Sequence, residues 1–492
     1  IFLLESEGDL VSTRKNALLM AAYEVLIYIA PLITAPYIAR VLGTSGTGIY
    51  SYTYSIASYF VIAIQLGVSI YGRREIASKI TQKERTKTFW SIFVCLFISF
   101  IVASIAFVII LFYSDDNIKP YLVWQYPVLV AGWLDIGWFF FGIEQFKLAV
   151  SRNIIVKVLS LVLVFLLIRT ENDTLTYVIL MATTNIISVL AMWLALPKYL
   201  TKETLELREI VGHLKQLLIL AVPVISIQLY SITDKVFLGL MMDLDSVGIY
   251  ENMYKLSRVP VALITTMGTV LLPRITNMIA MGKEIETYNY IEKSLSLTLI
   301  IASFCSFGLI SISPWLVPWY YGDAFSSGIP VLQVLSIILI IIAWGNVFRS
   351  QFIIPRRLDS IYLISVVAAA IINIILNLVF IPLWGIIGAA IASVVSELVV
   401  CIYQCIRIRD SFNFANMLKR NLQYFLAGIV MCIIVTIIGH AIDKGSTIAI
   451  LLLICIGSIS FIATVYAFET ITNTRVMKNE IRNIVYKIHK KR

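Results

Sequence analysis

TGIYSYTYSIAS, residues 47–58, returns as VGIYENMYKLSR at residues 247–258. Each copy reads Gly-Ile-Tyr with a second Tyr four positions on, but Ser51, Ser55 and Ser58 of the first become Glu251, Lys255 and Arg258 in the second. The offset persists to Arg74 in VSIYGRREIA and Arg274 in TVLLPRIT. Both copies run through apolar stretches of helical length, so the repeat implies two halves in one orientation, each with an even number of helices. Parallel repeats of this kind mark transporters that rock one half against the other.

The composition agrees: 59% of the residues are apolar, 14% are charged, and mean hydropathy is +0.89. Crossing about 30 Å of hydrocarbon takes roughly 20 apolar residues, and only helices or closed barrels cross it. Long apolar runs recur without strand-like alternation, which gives an all-α polytopic membrane protein. Fourteen spans fit, divided into a short N-terminal segment (1–15), an N-lobe of six helices (16–196), a linker (197–213), a C-lobe of six helices related to the first by pseudo-two-fold symmetry (214–406), a second linker (407–420), two appended helices (421–468) and a basic tail (469–492).

Lys and Arg gather in alternate loops, and the opposite loops hold only Arg40, Lys119, Arg169 and Lys444. The positive-inside rule then places both termini in the cytoplasm. The net charge of +10 is mainly this topology signal, directed at anionic lipid and not at nucleic acid. The opening IFLLESEGDLVS has its charges after its apolar residues, the wrong order for a signal peptide, and is set aside.

All six cysteines fall inside predicted spans at spacings that suit no metal, and they read as small hydrophobes. The three histidines are scattered. With short loops, and with neither a nucleotide-binding glycine motif nor an acidic pair of glycosyltransferase type in the cytoplasmic ones, the chain is expected not to be an enzyme and to need no cofactor. Proton, sodium ion or membrane potential is the expected energy source.

A 4,3,4,3,4 spacing keeps Ser51, Ser55, Ser58, Ile62, Gln65 and Ser69 on one helix face, and Glu251, Lys255, Arg258, Ala262, Thr265 and Thr269 on its counterpart. Such faces point away from lipid tails, either because small residues let helices pack closely or because they line a water-filled cavity. Lys255 lies roughly eight residues, or ~12 Å, inside its helix, where an ionised group costs a few kcal/mol unless it meets water, a partner or a ligand. Glu251 is expected to pair with Lys235 or with Lys255; either way Arg258 stays available. Asp135 and Lys157 lie equally far from a turn near residue 146 and read as an ion pair or a coupling site. Arg74 and Arg274 read as flanking the cytoplasmic mouth or as anchors there. Pro31, Pro36 and Pro223 interrupt the first helix of each half and are expected hinges or fixed bends.

PLITAPYIARVLGTSGTGIYSYTYSIASYF with YGRREIA, then WFFFGIEQF, RNIIVK, DKVFLG, GTVLLPRIT and NIILNLVFIPLWGIIGAAIASVVSE, resemble the Wzx-type polysaccharide flippases of the multidrug/oligosaccharidyl-lipid/polysaccharide (MOP) exporter superfamily. Arg73 departs from the family block, which carries an amide there. The resemblance implies two lobes, alternating access, and transfer of undecaprenyl-diphosphate-linked oligosaccharide from the inner to the outer leaflet of the bacterial membrane for capsule or exopolysaccharide, with a polysaccharide polymerase as neighbour. It implies that Ser51, Ser55 and Ser58 meet sugar hydroxyls and Lys255 and Arg258 the diphosphate, with Glu251 and Gln65 lining the same substrate cavity. By similarity to the lipid II flippase, the two appended helices would hold the prenyl tail. The competing reading is a cation-coupled drug or metabolite exporter of the same superfamily.

Overall fold

The computed structural model describes residues 7–442 and 446–472; side chains are described from Ala30 onward, apart from 146–149 and single positions such as Pro223 and Thr269. The ends of the sequence, including most of the basic tail, lie outside the described residues. The described secondary structure is helical, and eleven stretches are long and apolar enough to cross a membrane.

Eleven differs from fourteen for local reasons. The stretches Ala30–Ser78 and Asp359–Arg407 are 49 residues each, far beyond the ~30 Å that hydrocarbon requires. Each contains a glycine with non-helical dihedrals, Gly43 (φ 68°, ψ −170°) and Gly385 (φ 56°, ψ −135°). Such angles belong to glycine because a Cβ would clash with its own backbone. The fourth span expected from the sequence, about residues 120 to 143, is not one helix but three short ones, Lys119–Val123, Tyr126–Leu134 and Gly137–Gly142, so no single piece has spanning length. A count of fourteen requires each bent helix to cross twice and this broken run once.

The chain forms two compact units. The first holds residues 1–239 and 243–248, the second 240–242 and 249–492. In the first unit, α1 (Glu7–Gln65) is followed across the left-handed pair Leu66 and Gly67 by α2 (Val68–Ser78). Then come α3 (Gln82–Tyr113), the short α4 (Lys119–Val123), α5 (Tyr126–Leu134) and α6 (Gly137–Gly142), α7 (Phe146–Leu167), α8 (Thr174–Trp193) and α9 (Leu207–Met241). Phe89 and Phe93 of α3 pack on Trp138 and Phe139 of α6, Trp133 of α5 and Trp193 of α8, with ring centroids from 5.0 to 5.6 Å apart. Edge and offset contacts at these distances are the favoured aromatic arrangements. Trp193 Nε1 donates to the Leu134 carbonyl at 2.9 Å, an acceptor released where α5 ends.

Sequence symmetry groups 214–241 with the second half, whereas packing ties α9 to the first unit. Tyr59 Oη donates to Thr233 Oγ1 at 3.0 Å, Cys95 Sγ donates to the Ile210 carbonyl at 3.3 Å, and Gly67 admits the Leu220 backbone.

The second unit begins in α10 (Leu244–Ala280) and continues through α11 (Glu284–Tyr321), α12 (Ile329–Ser336), α13 (Ile338–Phe348), a π turn at Arg349–Ile353, α14 (Asp359–Arg407), α15 (Phe414–His440) and α16 (Thr447–Thr472). α11 is its central post, packed by α12, α13, α15 and α16. Buried amides tie helices together: Gln351 Nε2 donates to Ser294 Oγ at 2.8 Å and Gln404 Nε2 to Ser365 Oγ at 3.0 Å. Such pairs are worth about 1 kcal/mol each in a bilayer.

Candidate functional site

The two copies of the repeated word meet. A Cβ on Gly48 would overlap the Leu244 carbonyl oxygen, and a Cβ on Gly248 would overlap that of Thr44. Positions 44 and 48 thus touch positions 248 and 244 in exchanged roles, all within the first unit. The Thr44 hydroxyl donates to the Asp245 carboxylate beside it.

Below the glycines each copy stacks its two tyrosines: Tyr50 on Tyr54 at 5.6 Å and 16°, Tyr250 on Tyr254 at 6.2 Å and 22°. In the second copy the ladder continues, because the Arg258 guanidinium lies 4.7 Å over the Tyr254 ring. Ser58, at the matching place in the first copy, only donates to its own helix at the Tyr54 carbonyl, 2.7 Å away.

Glu251 pairs with Lys255, whose Nζ lies 3.2 Å from Glu251 Oε1 with the lysine side chain 42% exposed, and Glu251 and Lys235 each have a further interaction of their own. The stripe thus carries an ion pair and, one turn on, a guanidinium braced by an aromatic ring. Ser51 and Ser55 are buried at 4% and 1%, and their hydroxyls have no hydrogen-bond partner among the described residues. Gln65 is half-buried.

Arg74 is exposed with no ion pair among the described residues, and Arg274 is exposed with its guanidinium 4.7 Å over the Tyr290 ring. Arg73 lies 4.7 Å over the Phe141 ring and so ties α2 to α6, a role an amide could not take by charge.

The pairing of Asp135 with Lys157 is not formed. Asp135 sits in the break between α5 and α6, and its Oδ1 accepts from the Gly137 amide at 2.9 Å, while Lys157 has an interaction of its own. Counting from the turn assumed continuous helices; the break at 135 and 136 removes that premise. Pro31 and Pro36 lie within helical backbone, and the departure from helical dihedrals comes seven residues later at Gly43. Pro223 lies outside the residues whose side chains are described.

Two features escaped the sequence reading. Glu469 is fully buried on α16 and accepts from Tyr424 Oη of α15 at 3.3 Å; it lies one residue beyond the assigned end of the last span. An apolar cavity of about 230 Å³ opens between α11, α15 and α16, lined by Phe304, Gly308, Met431, Leu453 and Gly457, with Pro260 of α10 at its side. Apolar residues in membrane helices give no signal that distinguishes such a cavity from lipid-facing surface.

The fold is thus a bundle of helices long and apolar enough to span a membrane, with a charged stripe on α10 and an apolar cavity, the build of a membrane transporter. Its fold is similar to a solved structure titled "Lipid II flippase MurJ, inward closed conformation", with TM-score 0.73, 14% identity and coverage of 92% of this chain and 99% of that one. It is also similar to an inward-facing multidrug resistance MATE family transporter of the MOP superfamily, with TM-score 0.59, 14% identity and coverage of 80% and 99%. Residues 13–280 match the family model described as polysaccharide biosynthesis protein, and the chain belongs to that family. An Escherichia coli protein described as "Putative O-antigen transporter" is 22% identical over 406 residues, 82% of this chain and 98% of that protein.

Proposed function

We propose that the protein is a flippase that moves undecaprenyl-diphosphate-linked oligosaccharide repeat units from the inner to the outer leaflet of the bacterial cytoplasmic membrane by alternating access, with both termini in the cytoplasm. The observation that carries this reading is that α10 borders both halves of an amphiphile's requirements. Arg258, braced by Tyr254, offers the planar donor fork that suits phosphate. Two residues on, ~200° around the helix, Pro260 lines the apolar cavity. A diphosphate needs the first and a prenyl chain the second. Lys255 adds a second cation once its pair with Glu251 yields to a more highly charged ligand. The family membership and the O-antigen transporter relative point to surface glycan as the cargo. Coupling to protons, sodium or membrane potential is proposed as the energy source.

The test is depletion of the protein in cells that make a labelled lipid-linked repeat unit. The expected result is accumulation of intact units on the cytoplasmic leaflet, inaccessible to a periplasmic glycosidase. Normal periplasmic accessibility, or chemical alteration of the units by the purified protein, would overturn the reading.

A further inference from the structure

Where α2, α3 and α9 converge in the first unit, a polar cavity of about 360 Å³ is lined by Tyr71, Lys79, Glu84, Lys87, Glu209 and His213 among others. Several of these groups are already satisfied. Tyr71 Oη and His213 Nδ1 are hydrogen-bonded at 2.6 Å, Lys79 pairs with Glu75 at 3.0 Å, and Glu84 accepts from the Thr81 amide at 3.1 Å in a capping box. Two are not. Lys87 is half-buried and has neither ion pair nor hydrogen bond among the described residues, and Glu209 is half-buried with its Oε2 buried and unpartnered. One cavity thus holds a spare cation and a spare anion that do not neutralise each other.

Unpaired charges in a half-buried cavity call for a ligand that brings both opposite charges at once. A lone anion would satisfy Lys87 but meet Glu209, and a lone cation would do the reverse. The cavity also lies where two spanning stretches begin, Gln82–Tyr113 and Leu207–Ser226, at the end of the unit rich in Lys and Arg. Beside it Ile80, Leu207 and Val211 are exposed, an apolar rim at the depth where acyl chains start. We infer that this cavity binds an amine–phosphate zwitterion, with the phosphate on Lys87 and the primary ammonium on Glu209, and that the molecule it holds is the headgroup of phosphatidylethanolamine.

The test is native mass spectrometry of the purified full-length protein with equimolar phosphatidylethanolamine, phosphatidylcholine and phosphatidylglycerol. The expected result is retention of phosphatidylethanolamine about tenfold above the other two, the scale of one charge-assisted hydrogen bond. Phosphatidylcholine is disfavoured because its quaternary ammonium has no hydrogen to donate. Glu209→Gln should abolish the preference over phosphatidylglycerol, and Lys87→Gln, which removes the partner of the phosphate common to all three lipids, should lower retention of each. A thermal-unfolding profile equal to wild type keeps the variants interpretable, and Lys83→Gln, on a lysine outside the cavity, serves as control. Soluble glycerophosphoethanolamine separates the two sources of the same chemistry. Failure to displace the lipid assigns the cavity to the membrane headgroup, and displacement at comparable concentration assigns it to the free zwitterion. Equal retention of all three lipids by the wild type, an undiminished preference in Glu209→Gln, or undiminished retention in Lys87→Gln would overturn the inference.

Discussion

Lys255 pairs with Glu251, and Arg258 lies over the Tyr254 ring and has a further interaction of its own. Arg258→Ala removes the guanidinium stacked on Tyr254 and is expected to cut transport per molecule in the membrane at least about tenfold, or ~1.4 kcal/mol. Lys255→Ala also takes away the ion-pair partner of the buried Glu251; because the lysine is partly exposed, that structural cost is on the order of 1 kcal/mol or less. The double change Glu251→Gln with Lys255→Gln removes both charges together and should restore abundance without restoring transport. Transport assays beside quantified membrane levels check this, and full transport by the double variant would assign the pair a purely structural role. Asp135 calls for the opposite test. Its carboxylate caps the Gly137 amide at 2.9 Å, so Asp135→Asn keeps an acceptor and should keep abundance, while Asp135→Ala should lose about 1 kcal/mol of stability. Combining Asp135→Lys with Lys157→Asp should rescue nothing; recovery specific to that exchange would restore the ion pair expected from hairpin counting.

At the scale of elements, glycines settle what prolines were expected to. α1 carries Pro31 and Pro36 yet leaves helical geometry at Gly43, and α14 carries Pro382 and turns at Gly385. A proline removes one hydrogen bond and can sit in a bent but continuous helix, whereas the non-helical dihedrals at Gly43 and Gly385 put a kink between two helices. The reciprocal Gly48 and Gly248 contact is the most demanding of these places. Gly48→Ala and Gly248→Ala each drive a methyl into a backbone carbonyl, which cannot move aside as a side chain can, and a cost of about 1–3 kcal/mol is expected for each. Because the contact is reciprocal, the two variants should be matched in effect, and the double variant should cost less than their sum since one separation relieves both clashes. Melting temperatures of the purified singles and double measure this; strictly additive losses, or wild-type melting, would show that the backbones are free to part. The repeat itself was legible because Gly-Ile-Tyr-x-x-x-Tyr survives at both copies. The broken α4–α6 run was not, since hydropathy is uniform across Asp135 and a hairpin count takes continuity for granted.

For the whole molecule, composition and repeat sufficed for the membrane class and the duplicated fold, while the apolar cavity required coordinates, because apolar side chains facing lipid and facing a cavity look alike in sequence. If that cavity of about 230 Å³ holds a prenyl tail, its occupancy can be tested at Gly308. A Cβ there would meet only Met431 Cε, at 3.9 Å, so Gly308→Ala is expected to be silent and Gly308→Leu to fill space without a clash. Glycine costs up to about 1 kcal/mol relative to leucine in a helix interior, so helix propensity favours the larger residue in α11, and a melting temperature equal to wild type separates loss of transport from loss of folding. Reconstituted protein should then move a short-chain prenyl-diphosphate glycan as well as wild type does, but the full-length lipid about tenfold more slowly, a difference of ~1.4 kcal/mol. Arg258→Ala should slow both chain lengths alike, because the diphosphate is common to them. That contrast separates tail from head. Equal slowing of short and long chains by Gly308→Leu would mean that the cavity acts on the conformational change and not on the tail, and equal speed for both would mean that the tail travels in the surrounding lipid.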